Sequence, residues 1–525
     1  FELPDLDPPI LLGHSKGIYV ISKVYLLMFT WRLSLQYLRN NPLIHPPKTQ
    51  HDSFPFDRII NEHFEPALDH AIKIAHQELK LITSDQANPT FENTILAIEC
   101  CGVLMYRVRR IFSFLLIHES DNELKDIATR FSPKIAAFHH SLLVNKNAFR
   151  RVKTVYENRA NGQLNQEQIR LVEDRYEWYE KNGANLPKEN QDQLREIKME
   201  LTRVHAKFSK NLLNSSNSFE HHIINESELD GIPESTKSLM AKTAMDHGND
   251  SGWMVLLQQP FVGPILTHCR NRNLRELVFR KSKSKAFNDE FDNQDTILKI
   301  AKLSHQLANL LGHETYADYV MQERMAGDIK TVNDFLEKIF KISKPKADED
   351  MGKLRDYSDK TDGITELYGW DTGYYTEKLK SETFGFQEED IKPFFELENV
   401  INGVFGLGKN LYGISVIRTN KIPTPHEDIR TYYVYDEDDK YLGQLWLDLH
   451  PRSTKRAGGW LSTLQPQGFD GNENKRPVVC IAANITPPAN NEPSLLRLRE
   501  VETLFHEFGH SLHHLLSDCT FKSLS

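Results

Sequence analysis

Cysteine is scarce in this chain. Five thiols, Cys100, Cys101, Cys269, Cys480 and Cys519, are scattered and odd in number among 525 residues. That argues against a disulfide framework and for reduced thiols in a cytoplasmic compartment. No cysteine pair has zinc-finger spacing. Excess positive charge is also missing. The formal net charge is −9, which gives no general case for nucleic acid or an anionic membrane as a partner. Long apolar runs are missing too. Residues 18–31 are mostly apolar but include Lys23, and at about 14 residues the run is too short to span a bilayer. It reads as a helix, with a signal or anchor as the alternative. Membrane association is not otherwise expected. There is no internal repeat and no low-complexity tract. Residues 1–48, which start at Phe1 and not at Met, are assigned no domain.

What is present is an ordinary globular composition, 39% hydrophobic and 26% charged, in a chain long enough for two domains. Helical periodicity starts near Phe56, with Pro66 close to a helix start and Asn88 or Thr90 as a cap for the next helix. It continues to about Leu212, broken near Asn145, at 161–162 and at 183–187. Residues 253–258 read as a short strand. Arg270, Arg272, Arg275, Arg280, Lys281, Lys283 and Lys285 form a basic cluster. It reads as a solvated helical face, because Asp289, Glu290 and Asp292 follow at once. Helices resume over 294–312, where Gly312 reads as a C-cap, and over 332–357. The character then changes. Residues 432–435, 441–449 and 478–485 look like strands, with a turn at 437–440. A mainly helical chain with one minor sheet late in the sequence is expected.

The most informative stretch is 501–516, VETLFHEFGHSLHHLL, in which His506, Glu507 and His510 form an HExxH pattern. At about 100° per residue, Leu504, Phe505, Phe508, Leu512, Leu515 and Leu516 fall within about 60° of Val501 on a helical wheel. His506 and His510 fall at roughly 140° and 180°, on the opposite side. One face can bury, Phe505 and Phe508 included. The other presents two imidazoles, one turn apart, to a cleft. Such a pair can hold one Zn²⁺, with the Glu placed to take a proton from water. A surface pair is the plain alternative in a chain with 22 histidines.

HEFGH does not stand alone. Phe56-Asp57-Arg58-Ile59 with Glu62-His63-Phe64, and Pro89-Thr90-Phe91-Glu92-Asn93-Thr94, form two early motifs. Leu310-Leu311-Gly312 with Tyr316-Ala317-Asp318-Tyr319, and Trp370-Asp371 with Tyr374-Tyr375 and Glu377-Lys378, form two more. Phe395-Glu396-Leu397-Glu398-Asn399-Val400, Pro451-Arg452, Lys455-Arg456 and Gly459-Trp460 complete the set. Together they resemble the thimet oligopeptidase and peptidyl-dipeptidase family of zinc metallopeptidases, from about Pro42 onward.

The resemblance implies a mainly α, elongated, two-domain zincin-type peptidase fold with a small β-sheet beside the HExxH helix. Residues 49–270 would form an N-terminal helical domain and 271–525 the peptidase catalytic region. The implied function is zinc-dependent hydrolysis of peptide bonds in short peptides, of oligopeptidase or peptidyl-dipeptidase type. Glu507 would be the catalytic base, and His506 and His510 would bind one zinc ion. In the family a strand near the metal pairs with the substrate backbone. Residues 441–449 are the candidate by position, and an ordinary core strand is the alternative. Catalytic zinc sites use three protein ligands. The family's third is a Glu in a GT…DFVE-type stretch, and no Glu follows Glu507 here. That ligand and the family's oxyanion-stabilising His and Tyr are therefore expected beyond Ser525, leaving the catalytic region incomplete. Within the chain, His513, His514, Asp518 and Glu502 read as surface or supporting groups. A metzincin pattern would place a third His at position 516, where Leu516 stands. The alternative function is an inactive fragment or relic that at most binds peptides.

Overall fold

The computed structural model describes residues 38, 40–45, 49–161, 163–385, 388–452, 454–456, 458–470, 473–485 and 493–525. The apolar run at 18–31 lies outside them. The structure is mostly helical with small sheets. Among the described residues no helix is long and apolar enough to cross a membrane. All five cysteines are free.

The chain forms two compact units. One takes in the chain through Asn182 and then Ile391–Ser525, and the other is Gly183–Asp390. The boundary expected at 270/271 does not coincide with this division. It falls inside a single core, in which Ile265 and Cys269 pack with Leu274 and Val278.

In the first unit, helix Phe64–Ser84 buries Phe64, Ala67, Leu68, Ala71, Ala75, Leu79 and Ile82, the three-and-four spacing of an amphipathic helix. The next helix starts at Thr90. Its hydroxyl accepts from the Asn93 N–H at 3.2 Å, and the Asn93 side chain accepts from the Thr90 N–H at 2.8 Å. This reciprocal cap is what the Pro89–Thr94 motif supplies. Helices Val103–His118, Asn122–Leu143, Lys146–Asn158 and Gln166–Lys181 follow. Asp121, Asn145 and Asn165 cap the last three.

The second unit contains helix Lys188–Asn217, a two-stranded pairing of His221–Ile223 with Trp253–Val255, and helices that include Arg272–Lys283, Ile329–Asp362 and Gly369–Phe384. Helix Arg272–Lys283 carries the basic cluster, but it is not simply a solvated face. Arg275 is buried and pairs with the equally buried Asp371 at 3.0 Å.

Near the C-terminus a five-stranded sheet forms from β1 (Ser415–Thr419), β2 (Arg430–Tyr435), β3 (Tyr441–Asp448), β4 (Trp460–Gln465) and β5 (Val478–Ala482). The spatial order is β1-β2-β3-β5-β4. Strands β1 to β3 form an antiparallel meander, β5 runs parallel to β3, and β4 runs antiparallel to β5. Strands β2, β3 and β5 match the expected runs, whereas β1 and β4 were not expected. Alternation sends Leu445, Leu447, Val479 and Ile481 into one core. Gln444, Trp446, Asp448 and Cys480 point to the other face and are also fully buried. Strand β3 is therefore an interior strand, hydrogen-bonded on both sides, and cannot accept a peptide along its backbone. Among the described residues strand β4 has a partner on one side only, and it is the edge strand that packs against the HExxH helix.

Candidate active site

Helix Leu498–Leu515 forms where the wheel places it. At its start the Glu500 carboxylate accepts the Arg497 N–H at 2.8 Å, the backward half of a capping box. At its end Arg476 donates to the carbonyl of Leu515 at 2.7 Å and of Ser517 at 3.2 Å. A cation thus meets carbonyls that the last turn leaves unpaired. A third bond, to the Leu442 carbonyl at 2.8 Å, ties the same guanidinium to β3.

Leu504, Phe508 and Leu515 bury among Leu445, Leu447, Val479 and Ile481 of the sheet and Val400, Ile401 and Val404 of helix Leu397–Tyr412. That helix approaches closely because Gly408 faces Phe508. A Cβ there would lie 3.0 Å from Phe508 Cζ. One expectation fails. Phe505 is 38% exposed, and Leu516 is exposed with it, while Glu507 and Ser511 are buried. The wheel fixes the width of the apolar stripe. Its partners, the sheet and helix Leu397–Tyr412, cover it from the Glu507–Ser511 side and leave the Phe505 flank open.

His506 and His510 are both exposed. Their ring centroids are 4.7 Å apart with planes at 84°, and their Nε2 atoms are 3.1 Å apart. Two nitrogens bound to one tetrahedral zinc at about 2.0–2.1 Å stand about 3.3 Å apart. The pair thus offers two adjacent corners of a zinc site with almost no adjustment. Glu507 is 6% exposed, and its Oε2 has no hydrogen-bond partner among the described residues. Its Oε1 would lie 3.7 Å from a Cβ added at Gly459, so the turn into β4 covers it. A buried carboxylate oxygen without a partner is costly unless something else engages it. This one sits between the two imidazoles in sequence, on the same helix.

The other candidates are not gathered here. His513 and Glu502 are exposed. The His514 Nε2 is 3.4 Å from the Thr463 hydroxyl, and burial lowers its pKa. Asp518 accepts from the Asn474 amide at 3.3 Å. Among the described residues no group of three or more His, Cys, Asp or Glu could hold a metal ion.

On the opposite face of the sheet lies a buried polar cluster that sequence reasoning missed. Asp448 accepts from His118 Nδ1 at 2.7 Å, from Arg452 Nη1 at 2.7 Å and from Lys455 Nζ at 3.0 Å. Lys455 also donates to the backbone carbonyls of Asp448, His450 and Ala483. The Trp460 indole donates to the Ser462 hydroxyl at 3.1 Å, and that hydroxyl lies 2.9 Å from His118 Nε2. The indole can only donate, and burial lowers the pKa of His118; with the imidazole neutral, the chain of bonds runs from Trp460 through Ser462 and His118 to Asp448. It fastens the edge strand β4 and the segment leading into it. A signal was present, because a carboxylate inside an apolar strand needs partners.

Residues 265–525 match the model of Peptidase family M3. Oligopeptidase A of Escherichia coli (strain K12) is 30% identical over 484 residues, which cover 91% of this chain and 70% of that protein. The chain belongs to Peptidase family M3. Dipeptidyl carboxypeptidase of the same organism is 31% identical over 472 residues, 90% of this M3 chain and 69% of that protein. A solved structure of PZ peptidase A with inhibitor 2 overlaps 87% of the M3 chain and 64% of its own, with a TM-score of 0.45 and 15% identity. The family makes this M3 chain a metallopeptidase, and peptidases of the family are generally zinc-dependent.

Proposed function

We propose that this M3 chain hydrolyses peptide bonds in short peptides, with zinc held by His506 and His510 and with Glu507 as the base. The observation that carries the reading is one helix bearing two imidazole Nε2 atoms 3.1 Å apart and, between them in sequence, a buried carboxylate oxygen without a partner among the described residues. Bound there, zinc would polarise the scissile carbonyl and lower the pKa of water toward neutrality. The residues of the chain do the rest. Neutral imidazoles supply the donor atoms. Glu507, shielded by Gly459, takes the proton of the attacking water and passes it to the leaving amine. An extended peptide would pair with the open edge of β4, whose first residues adjoin Gly459 and so run past Glu507.

The test is kinetic. Glu507→Gln keeps the shape of the side chain and removes only the proton relay. The variant should retain fold and zinc while kcat on a quenched short peptide falls by about 10²–10⁴-fold. Turnover like that of the unsubstituted protein would remove Glu507 from the reaction.

A further inference from the structure

The unit Gly183–Asp390 holds a cavity of about 410 Å³ lined by four cations, Arg270, Arg272, Arg275 and Lys378, with a single carboxylate, Asp362, among the lining side chains. Its construction explains why so many positive charges converge. Arg275 is fixed from behind: it donates to the carbonyls of Cys269 and Trp370 and to Asp371 at 3.0 Å, and it lies 4.1 Å over the Tyr374 ring. Arg272 grips the same Asp371 in a two-pronged contact at 3.0 and 2.7 Å. Burial alone would raise the Asp371 carboxyl, but hydrogen bonds from Arg272, the Tyr368 N–H and Arg275 outweigh it and hold it below the usual carboxylate range. One carboxylate thus serves two guanidiniums. At the rim, Arg270 pairs with Asp230 at 3.1 Å, and Lys378 pairs with Asp362 at 3.2 Å. Four cations against Asp230, Asp362 and Asp371 leave one positive charge in excess. The Nη1 edge of Arg272 makes no hydrogen bond among the described residues, and its side chain is 37% exposed. A guanidinium locked by two bonds to a buried carboxylate, on a side chain that lines the cavity, is pre-organised for a planar or tetrahedral oxyanion. Ile364 adds an apolar wall, and the volume exceeds that of a bare inorganic ion.

We propose that this cavity binds the oxyanion group, phosphate or carboxylate, of a small organic molecule. The site belongs to helices Arg272–Lys283 and Gly369–Phe384 and stands independently of the zinc chemistry.

The test is calorimetric titration of metal-free protein, residues 1–525, with pyrophosphate and with citrate, each against sodium chloride at matched ionic strength. Metal-free protein removes chelation as a cause. Saturable one-to-one binding of either probe, absent for chloride, is expected. A response to pyrophosphate alone assigns a phosphate ligand, and a response to citrate alone a carboxylate. The rim variant Arg270→Gln/Lys378→Gln, which spares the Asp371 anchor, should weaken binding about tenfold or more with an unchanged melting temperature. Arginine modification by phenylglyoxal, mapped by peptide mass, should be slowed at Arg270 and Arg272 by the probe that binds. No saturable binding by either probe would overturn the proposal. So would binding that the rim variant leaves unchanged without protection of these arginines.

Discussion

Asp448 is buried under the edge strand and faces two cations and an imidazole, and this concentration of charge makes the cluster sensitive to single changes. Truncation by Asp448→Ala would leave the buried Lys455 without its counter-charge, while Arg452 keeps Glu119 at 2.6 Å, so a loss of about 3–5 kcal/mol in urea unfolding is expected. The pH dependence follows from two directions. Burial alone would raise the Asp448 carboxyl, but hydrogen bonds from His118 and Arg452 and the charge of Lys455 overcome it and hold it well below the usual range. Its contribution is therefore complete above about pH 4 and is lost as pH falls from there toward its folded value. Burial, opposed by Asp448, lowers the pKa of His118. The unfolded chain then takes a proton below about pH 6.5 that the folded chain refuses, so stability falls as pH drops through that window. The slope of unfolding free energy between pH 5 and 6.5 should be flatter in His118→Gln than in the unsubstituted protein, and an equal slope would remove His118 as its source. The sequence announced the chemistry of His506, Glu507 and His510 through their spacing. It did not announce the Asp448 cluster, because His118 and Asp448 lie far apart in the chain and meet only in the fold.

At the scale of elements, the HExxH helix was legible because its signals are local: an apolar stripe, an acidic start and a pattern of one turn. Strands β2, β3 and β5 were legible for the same reason, being apolar runs bounded by turn residues. Strand β4 was not. Its sequence, WLSTLQ, mixes polar and apolar residues, and only its pairing with β5 fixes it. Strand order rules out β3 as a strand that could pair with a substrate, since both its sides are hydrogen-bonded, and the proposal for β4 takes its place. The open Phe505 flank is a second non-local outcome, and it separates two adjacent aromatics by experiment. Phe508→Ala empties a core position against Gly408 and should cost about 3–5 kcal/mol. Phe505→Ala removes a side chain that is 38% exposed and should cost well under half as much. Equal losses in thermal unfolding would show that the buried face is the one centred on Val501.

Over the whole molecule, the chain leaves its first unit after Asn182 and returns at Ile391, so the sheet and the HExxH helix share a unit with the N-terminal helices. Composition could not show this, because helical periodicity is the same on both sides of each crossing. What composition and motif did show was the class, a mainly helical peptidase, and the similarity to Oligopeptidase A extends over 91% of the chain. The central claim is that His506 and His510 jointly hold the metal and that Glu507 does not. Zinc affinity, measured by competition with a chromophoric chelator, tests it directly. One zinc per chain is expected. The affinity should fall at least about tenfold in His506→Ala and in His510→Ala, and stay within a few-fold in Glu507→Gln. Zinc binding undiminished in both histidine variants would contradict the account.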